Sequence, residues 1–292
     1  VVNRQSTCRQ GVRAVLVAAA AAGLLAGCAG AGSSAGTGAA EAAAKGGSSD
    51  TLAADPLTAV RAAADVTGRT GSVQDATTLQ TASSAKQMTL HGTAVYNYSA
   101  RLGRMEIAVP AAAGTPGKQL VEVISPGVVY LQNSGAKVPA GKWVKVGVQQ
   151  LADGNLVSSG ATDPASAANA LRGALTATQV GTETVGGVPL KHYKGTLDLA
   201  RAAGATGGGA ASGLALAGHT FTVKQVPYEV WLDEHGRIHR IVETFTFSGV
   251  PSSTAAKDQV VVTSTTEFSG FGTPVKVDLP PSKDVYGAQQ SK

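Results

Sequence analysis

The five histidines are where chemistry would first be sought in this 292-residue chain: His91, His192, His219, His235 and His239. Only the run Asp233-Glu234-His235-Gly236-Arg237-Ile238-His239 brings two of them beside a carboxylate. On a helix, His at i and i+4 share a face and can hold a metal. Here Gly236 sits in a strand–turn–strand pattern, so the run is expected at a hairpin rim and no metal ligands are assigned. Glu243 alternates with apolar neighbours and is expected to point inward. A lone inward carboxylate is more often paired than catalytic. No Gly-x-Ser-x-Gly elbow occurs, which disfavours an α/β-hydrolase. Gly114-Thr115-Pro116-Gly117-Lys118-Gln119 lacks the spacing and the Ser or Thr of a phosphate loop. Trp143 and Trp231 each lie on a strand among charges, and ordinary packing is the better reading for both. The chain is therefore expected to be no enzyme and to use no cofactor.

Cys28 is the residue with a chemical reading. Cys8 is the other cysteine and lies in a basic leader, so a structural disulfide is disfavoured. Residues 1–13 carry Arg4, Arg9 and Arg13 and no acid, and Ala14 to Gly27 is a run of apolar and small residues. That length suits a signal h-region and is short for a membrane span. The run closes on Leu25-Ala26-Gly27-Cys28, which resembles the bacterial lipobox. The resemblance implies that residues 1–27 are a signal peptide and that Cys28 is acylated on sulfur and becomes the mature N-terminus. Acyl chains at ~0.8 kcal/mol per buried CH₂ would anchor it stably. The alternative is an ordinary signal peptide with a chance cysteine.

The net charge of +5 includes those three arginines, and without them 21 basic residues face 19 acidic ones. A near-neutral body has no clustered basic face, which argues against nucleic acid as a partner. After residue 28 no apolar run reaches 18 residues, so no spanning helix is expected there. Residues 28–54 are small and polar, with nothing to pack, and read as a flexible tether of roughly 30 Å r.m.s. reach.

Residues 55–292 are expected to form one domain. Asp55-Pro56 reads as an N-cap followed by Pro at the first helical position, and Leu57, Val60, Ala64 and Val66 carry a short helix to about Thr67. Asp163-Pro164 starts a second helix that ends near Gly173. The rest alternates with period two in about ten strands, the last of them Pro274-Val275-Lys276-Val277-Asp278-Leu279. One apolar face emerges, carrying Leu90, Tyr96, Met105 and Ile107, then Val129, Leu131, Val144 and Val146. Tyr193, Leu197, Val230, Leu232, Val260 and Val262 continue it. Such alternation predicts an antiparallel sheet with one wet and one dry face, curved or barrel-like, with two helices packed on it. Ala200 to Gly218 is rich in glycine and reads as a mobile loop, either a flap at a cavity mouth or a plain surface insertion.

The order of these features resembles the actinobacterial LppX/LprAFG lipoproteins, whose fold is LolA-like. The pieces that carry it are Val129-Tyr130-Leu131-Gln132, Gly141-Lys142-Trp143-Val144, the Asp163 helix, and Val230-Trp231-Leu232-Asp233 followed by Gly236-Arg237-Ile238. The resemblance covers about residues 55–282. It implies an α+β fold: a curved, half-open antiparallel sheet, an incomplete barrel, covered by a few helices, with a hollow for acyl chains. The implied ligand is a lipid or lipoglycan, and the implied place is the outer face of the cytoplasmic membrane. Two short Ala-rich helices would fill little of the hollow, so a residual cavity is expected, and the fourteen apolar-face residues above are its candidate lining. They serve equally as plain core. Carrier or chaperone of an apolar ligand is one expected function. The other is a sensor or accessory lipoprotein that binds another envelope protein.

Overall fold

The computed structural model describes residues 51–83, 87–111, 117–134, 138–157, 162–248 and 259–287. The leader, Cys28 and most of the tether lie outside them. The fold begins slightly before Asp55: Leu52 and Ala53 pack against the core, and Leu52 N donates to Glu234 O at 2.9 Å.

Helix α1 spans Pro56–Gly68, and Asp55 caps it by accepting from Thr58 N at 2.7 Å. Six strands follow as consecutive antiparallel hairpins: β1 (Ser72–Ala82), β2 (Gln87–Asn97), β3 (Leu102–Val109), β4 (Lys118–Ser125), β5 (Val128–Gln132) and β6 (Trp143–Gly147). Helix α2 (Pro164–Ala170) leads to the second meander of β7 (Thr178–Val185), β8 (Val188–Leu197), β9 (Val226–Leu232), β10 (Ile238–Ser248) and β11 (Gln259–Ser269). Between β8 and β9 the chain forms α3 (Leu199–Gly204) and α4 (Gly208–Thr220). β1 joins β11 antiparallel, fusing the two meanders, and β12 (Val285–Gly287) adds to β6 in parallel. The result is one curved, half-open sheet of 12 strands, with β12 at one edge and β7 at the other.

Alternation decides which face is covered. Val73, Leu79, Leu90, Tyr96, Met105, Ile107, Tyr193, Val230, Ile241, Phe245 and Val262 all turn to one face and form one core with the buried residues of the four helices. Each large apolar side chain buried there contributes about 1.5–3 kcal/mol. The other face is not wholly wet. Val121, Val123 and Trp143 form a small outer core with Tyr130, Val277 and Val285. This explains why β4 is buried on both sides and where Trp143 goes.

Two sequence expectations need correction. Residues 200–218 are not a loop but most of α3 and α4. Asp198 caps α3 by accepting from Arg201 N at 2.7 Å. The glycines of α4 serve close packing rather than mobility. A Cβ on Gly154 would lie 2.1 Å from Gly213 O, and one on Gly209 would lie 2.7 Å from Gly127 N. Residues 274–279 are not a strand; they run as irregular chain across the outer core. Pro274, Pro280 and Pro281 deprive that stretch of ladder donors. Three strands escaped the apolar pattern: β1, β7 and the short β12. β1 carries buried Asp75 and Thr77 at inward positions, and β7 is exposed throughout.

Candidate functional site: a cavity under two small-residue helices

A cavity of about 530 Å³ lies between the helix-covered face and the helices above it. Its walls are Ala64 and Gly68 of α1, Tyr96 of β2, the Tyr98–Arg101 turn, Ile124 to Val129 of the β4–β5 hairpin, Gly154 to Leu156, Ala165 to Asn169 of α2, and Gly209 to Leu214 of α4. The space exists because the helices above it present Ala and Gly. The close approach of Gly213 to Gly154 sets how far α4 descends. Among the residues that α1, α2 and α4 contribute to the lining, Leu214 is the one large apolar side chain.

Polar groups punctuate this wall. Asp163 caps α2, its Oδ1 accepting from Ala165 N at 3.0 Å and Ser166 N at 2.9 Å. Burial pushes its pKa up, and those hydrogen bonds oppose the shift. Asn155 donates from Nδ2 to Glu122 Oε1 at 2.5 Å. Arg172 holds Asp65 through two bonds, at 3.0 and 2.7 Å, while Arg69 and Arg101 stand at exposed positions of the lining.

Beside the cavity a polar seam runs beneath α2. Thr77 Oγ1 meets Asp75 Oδ2 at 3.0 Å and Thr266 Oγ1 at 3.3 Å, and Ser264 Oγ donates to Thr162 Oγ1 at 2.9 Å. Glu243 pairs across strands with Ser264 and points inward, as its alternation predicts. Burial pushes Glu243 up to about 8. Burial also pushes Asp75 up to about 7, with the Thr77 hydroxyl opposing the shift and Asp163 reinforcing it. In this desolvated seam both shifts favour the protonated form.

None of the histidines lines the cavity. The Asp233–His239 run forms the expected hairpin rim between β9 and β10. Asp233 accepts from His235 N, Arg237 N, Arg237 Nε and His239 Nε2 at 2.6 to 3.2 Å. Burial works to raise its pKa, but the bonds from His239 and Arg237 outweigh it and hold the carboxyl well below the usual range. Among the described residues no group of three or more metal-ligating side chains converges, and no helix is long and apolar enough to cross a membrane.

Of the fourteen apolar-face residues singled out from the sequence, Tyr96 and Val129 line this cavity. Leu90, Met105, Ile107, Tyr193, Leu197, Val230, Leu232 and Val262 are buried in the core, and Val260 packs on its edge. Leu131, Val144 and Val146 are half-buried on β5 and β6. Tyr98 shares the apolar face of Leu90 and Tyr96 in the sequence pattern but was not singled out as lining, and sequence reasoning missed Asn155 and Thr206. The Asp153-Gly154-Asn155 turn signal was present, and both Gly154 and Asn155 take the left-handed conformation that such residues favour.

A second hollow, about 690 Å³, lies on the opposite face over Ala76, Thr93 and Val95. It is the larger, but its flanks carry the closed ion pairs Arg104–Glu106 at 2.9 Å and Arg240–Glu267 at 2.7 Å. At its end Trp231 is covered by His192, stacked at 4.0 Å, and by Arg240.

No family model and no curated protein matches the chain. Among solved structures it is similar to LprF from Mycobacterium bovis, at 13% identity over 79% of this chain and 99% of that one, TM-score 0.43. It is also similar to the lipoprotein LppX from Mycobacterium tuberculosis, at 14% identity over 76% of this chain and 97% of that one, TM-score 0.43. A third is the LolA-superfamily protein NE2245 from Nitrosomonas europaea, at 10% identity over 79% and 97%, TM-score 0.30.

Proposed function

We propose that this chain is a cell-envelope lipoprotein, anchored through Cys28 outside the cytoplasmic membrane, that holds the apolar part of a lipid as a non-catalytic carrier or chaperone. The observation that carries the reading is the cavity of about 530 Å³ left open between sheet and helices. That volume lies in the range of small-molecule sites, and its apolar walls suit a hydrocarbon chain. Ala, Gly, Val and Leu make up the apolar part of the lining and hold a chain without directional bonds, which suits a ligand that must be released as well as bound. Native mass spectrometry of the full chain with Cys28→Ser, purified from a bacterial envelope, tests it. Co-purified acyl lipid, or uptake of a fluorescent alkyl chain, supports the reading; a protein that neither carries nor takes up such a chain sinks it. For the anchor, the unsubstituted chain is expected in the membrane fraction with an acylated N-terminal cysteine, and Cys28→Ser is expected to abolish both.

A second reading, docking of an envelope protein, has one observation in its favour. β7 is an edge strand exposed along its whole length, with Val180 at 49% and Val185 at 42% exposure. Such an edge offers an open ladder to an added strand.

A further inference from the structure

The charged residues of the cavity lining are Asp65, Arg69, Arg101, Asp163 and Arg172. Asp65 and Arg172 are closed on each other at 2.7 Å. Asp163 is 5% exposed, caps α2 and is pushed toward its neutral form by burial. Arg101 differs from these: it is exposed, and among the described residues its guanidinium has no ion-pair partner. Its backbone is held at φ 53°. Among the described residues the other non-glycines with positive φ are Asn133 and Asn155. Asparagine visits that region readily, whereas arginine does not. Backbone strain of this kind collects at ligand sites, where the surrounding structure over-determines it.

Contacts fix where the guanidinium goes. Arg101 Nη1 lies 3.4 Å from where a Cβ on Gly208 would stand, in the first turn of α4. The next residue, Gly209, meets the β4–β5 turn so closely that its Cβ would lie 2.7 Å from Gly127 N. Arg101, the start of α4 and the β4–β5 turn therefore converge at one border of the cavity, which Gly127, Gly207 and Gly209 also line. Tyr96, in the same lining, feels this charge: burial raises its pKa, Asp163 adds to the rise, and Arg101 opposes it. The first turn of α4 brings no acid to neutralise the guanidinium.

We infer that Arg101 makes this border of the cavity an anionic head-group subsite, which takes the carboxylate or phosphate of an amphiphile whose hydrocarbon chain lies inside. This rests on the lipid-holding reading above and adds a ligand class to it. The cavity is polarised accordingly. Exposed Arg101 favours a negative head at the border, and Asp163, buried in the wall, disfavours one deeper in. The ligand thus sits with its head outward and its tail inward. The planar guanidinium offers a fork of donors that fits either oxyanion. Because Arg101 is exposed, the gain is modest and salt-sensitive.

Oleate, oleoyl lysophosphatidate and methyl oleate share one chain and differ in head, while inorganic phosphate is a head without a chain. Each competes with an uncharged fluorescent alkyl probe for the full chain carrying Cys28→Ser. At low ionic strength oleate and oleoyl lysophosphatidate are expected to bind about fivefold tighter than methyl oleate, an advantage that shrinks in high salt. Inorganic phosphate, at matched ionic strength, is expected not to displace the probe. Arg101→Gly relieves the positive φ and is expected to fold and to bring oleate level with methyl oleate. Arg101→Lys is expected to keep part of the advantage. Should Arg101→Gly not fold, Arg101→Gln takes its place, and the ranking on the parent chain decides with it. Equal binding of the three oleoyl ligands, an oleate advantage that survives removal of the guanidinium, or displacement by phosphate alone overturns the subsite and leaves the lipid-holding function standing. Failure of the probe and of every oleoyl ligand to bind overturns both.

Discussion

The two meanders share one sheet and one set of covering helices, yet one end is filled and the other is hollow. Over β8 to β11 the inward residues are Tyr193, Leu197, Val230, Leu232, Ile241 and Phe245, and Leu171, Leu199 and Phe221 reach down to meet them. Phe221 alone stacks on Phe245 at 4.7 Å and meets Phe247 edge-on at 4.6 Å. Over β2 to β5 the cover is Ala165, Ala168, Ala210 and Gly213, and the cavity remains. A curved sheet leaves a volume, and the residues of the cover decide whether that volume becomes core or site. Here the same device, a helix in a crossover connection, does one thing with Leu and Phe and the other with Ala and Gly.

The largest effect that would test this contrast is in the filled half. Phe245→Ala is expected to cost about 3–5 kcal/mol in chemical denaturation, because the stacked ring it removes has no neighbour able to replace it. A loss under about 1 kcal/mol would mean that this half is looser than the packing shows.

At the seam beside the cavity the contrast becomes a pH dependence. Glu243 has its pKa raised from an ordinary 4.5 to about 8 by burial, so the folded state holds its proton where the unfolded chain has released it. Its contribution to stability is therefore fully present below about pH 4.5 and is lost as the pH rises through 8. Asp75, raised to about 7, acts in the same direction. Glu243→Gln is expected to flatten the fall in stability between pH 5 and 9, by a few kcal/mol at the alkaline end. Parallel melting curves for variant and parent across that range would refute the assignment.

The height of the roof is set by glycine. Gly154 has φ +60°, and its added Cβ would lie 2.1 Å from Gly213 O. Gly154→Ala is expected to cost about 1–3 kcal/mol and to lift α4. Faster hydrogen exchange confined to α4 and the 150s loop is the readout, and unchanged exchange there would count against the close contact.

The sharpest comparison is the smallest in energy. Both Ala168 and Ala170 are buried on α2, but Ala168 borders the cavity and Ala170, two residues on, does not. Ala170→Leu should overpack and cost about 1–3 kcal/mol, whereas Ala168→Leu should cost under about 1 kcal/mol and reduce uptake of an alkyl probe. Equal costs for the two would erase the distinction between core and hollow.

Much of the fold could be read from period-two alternation and from two Asp-Pro caps, because those signals are local. Asp55 and Asp163 both cap as their spacing predicts. Where apolar alternation was absent, the reading failed for a physical reason. β1 is held in the sheet by its ladders to β2 and β11 although Asp75 and Thr77 sit at its inward positions. β7 is held by its ladder to β8 with no buried face at all. The glycines of 204–218 argued for a loop because their local effect is to weaken a helix. Their value appears only when Gly127 and Gly154 are brought against them from elsewhere in the chain. The cavity lining shows the same limit. Apolar inward positions could be named in sequence, but core and cavity wall have the same composition, so Leu90 and Tyr96 read alike although only Tyr96 reaches the hollow.

The sequence by itself determined most strand faces, the starts of α1 and α2, and the hairpin rim at Asp233, since each depends on neighbours within a few residues. Tertiary structure alone decided which inward residues meet a partner and which meet empty space. That outcome depends on how far α4 descends onto the 150s turn, and it brought Tyr98, Asn155 and Thr206 to one wall from separate parts of the chain.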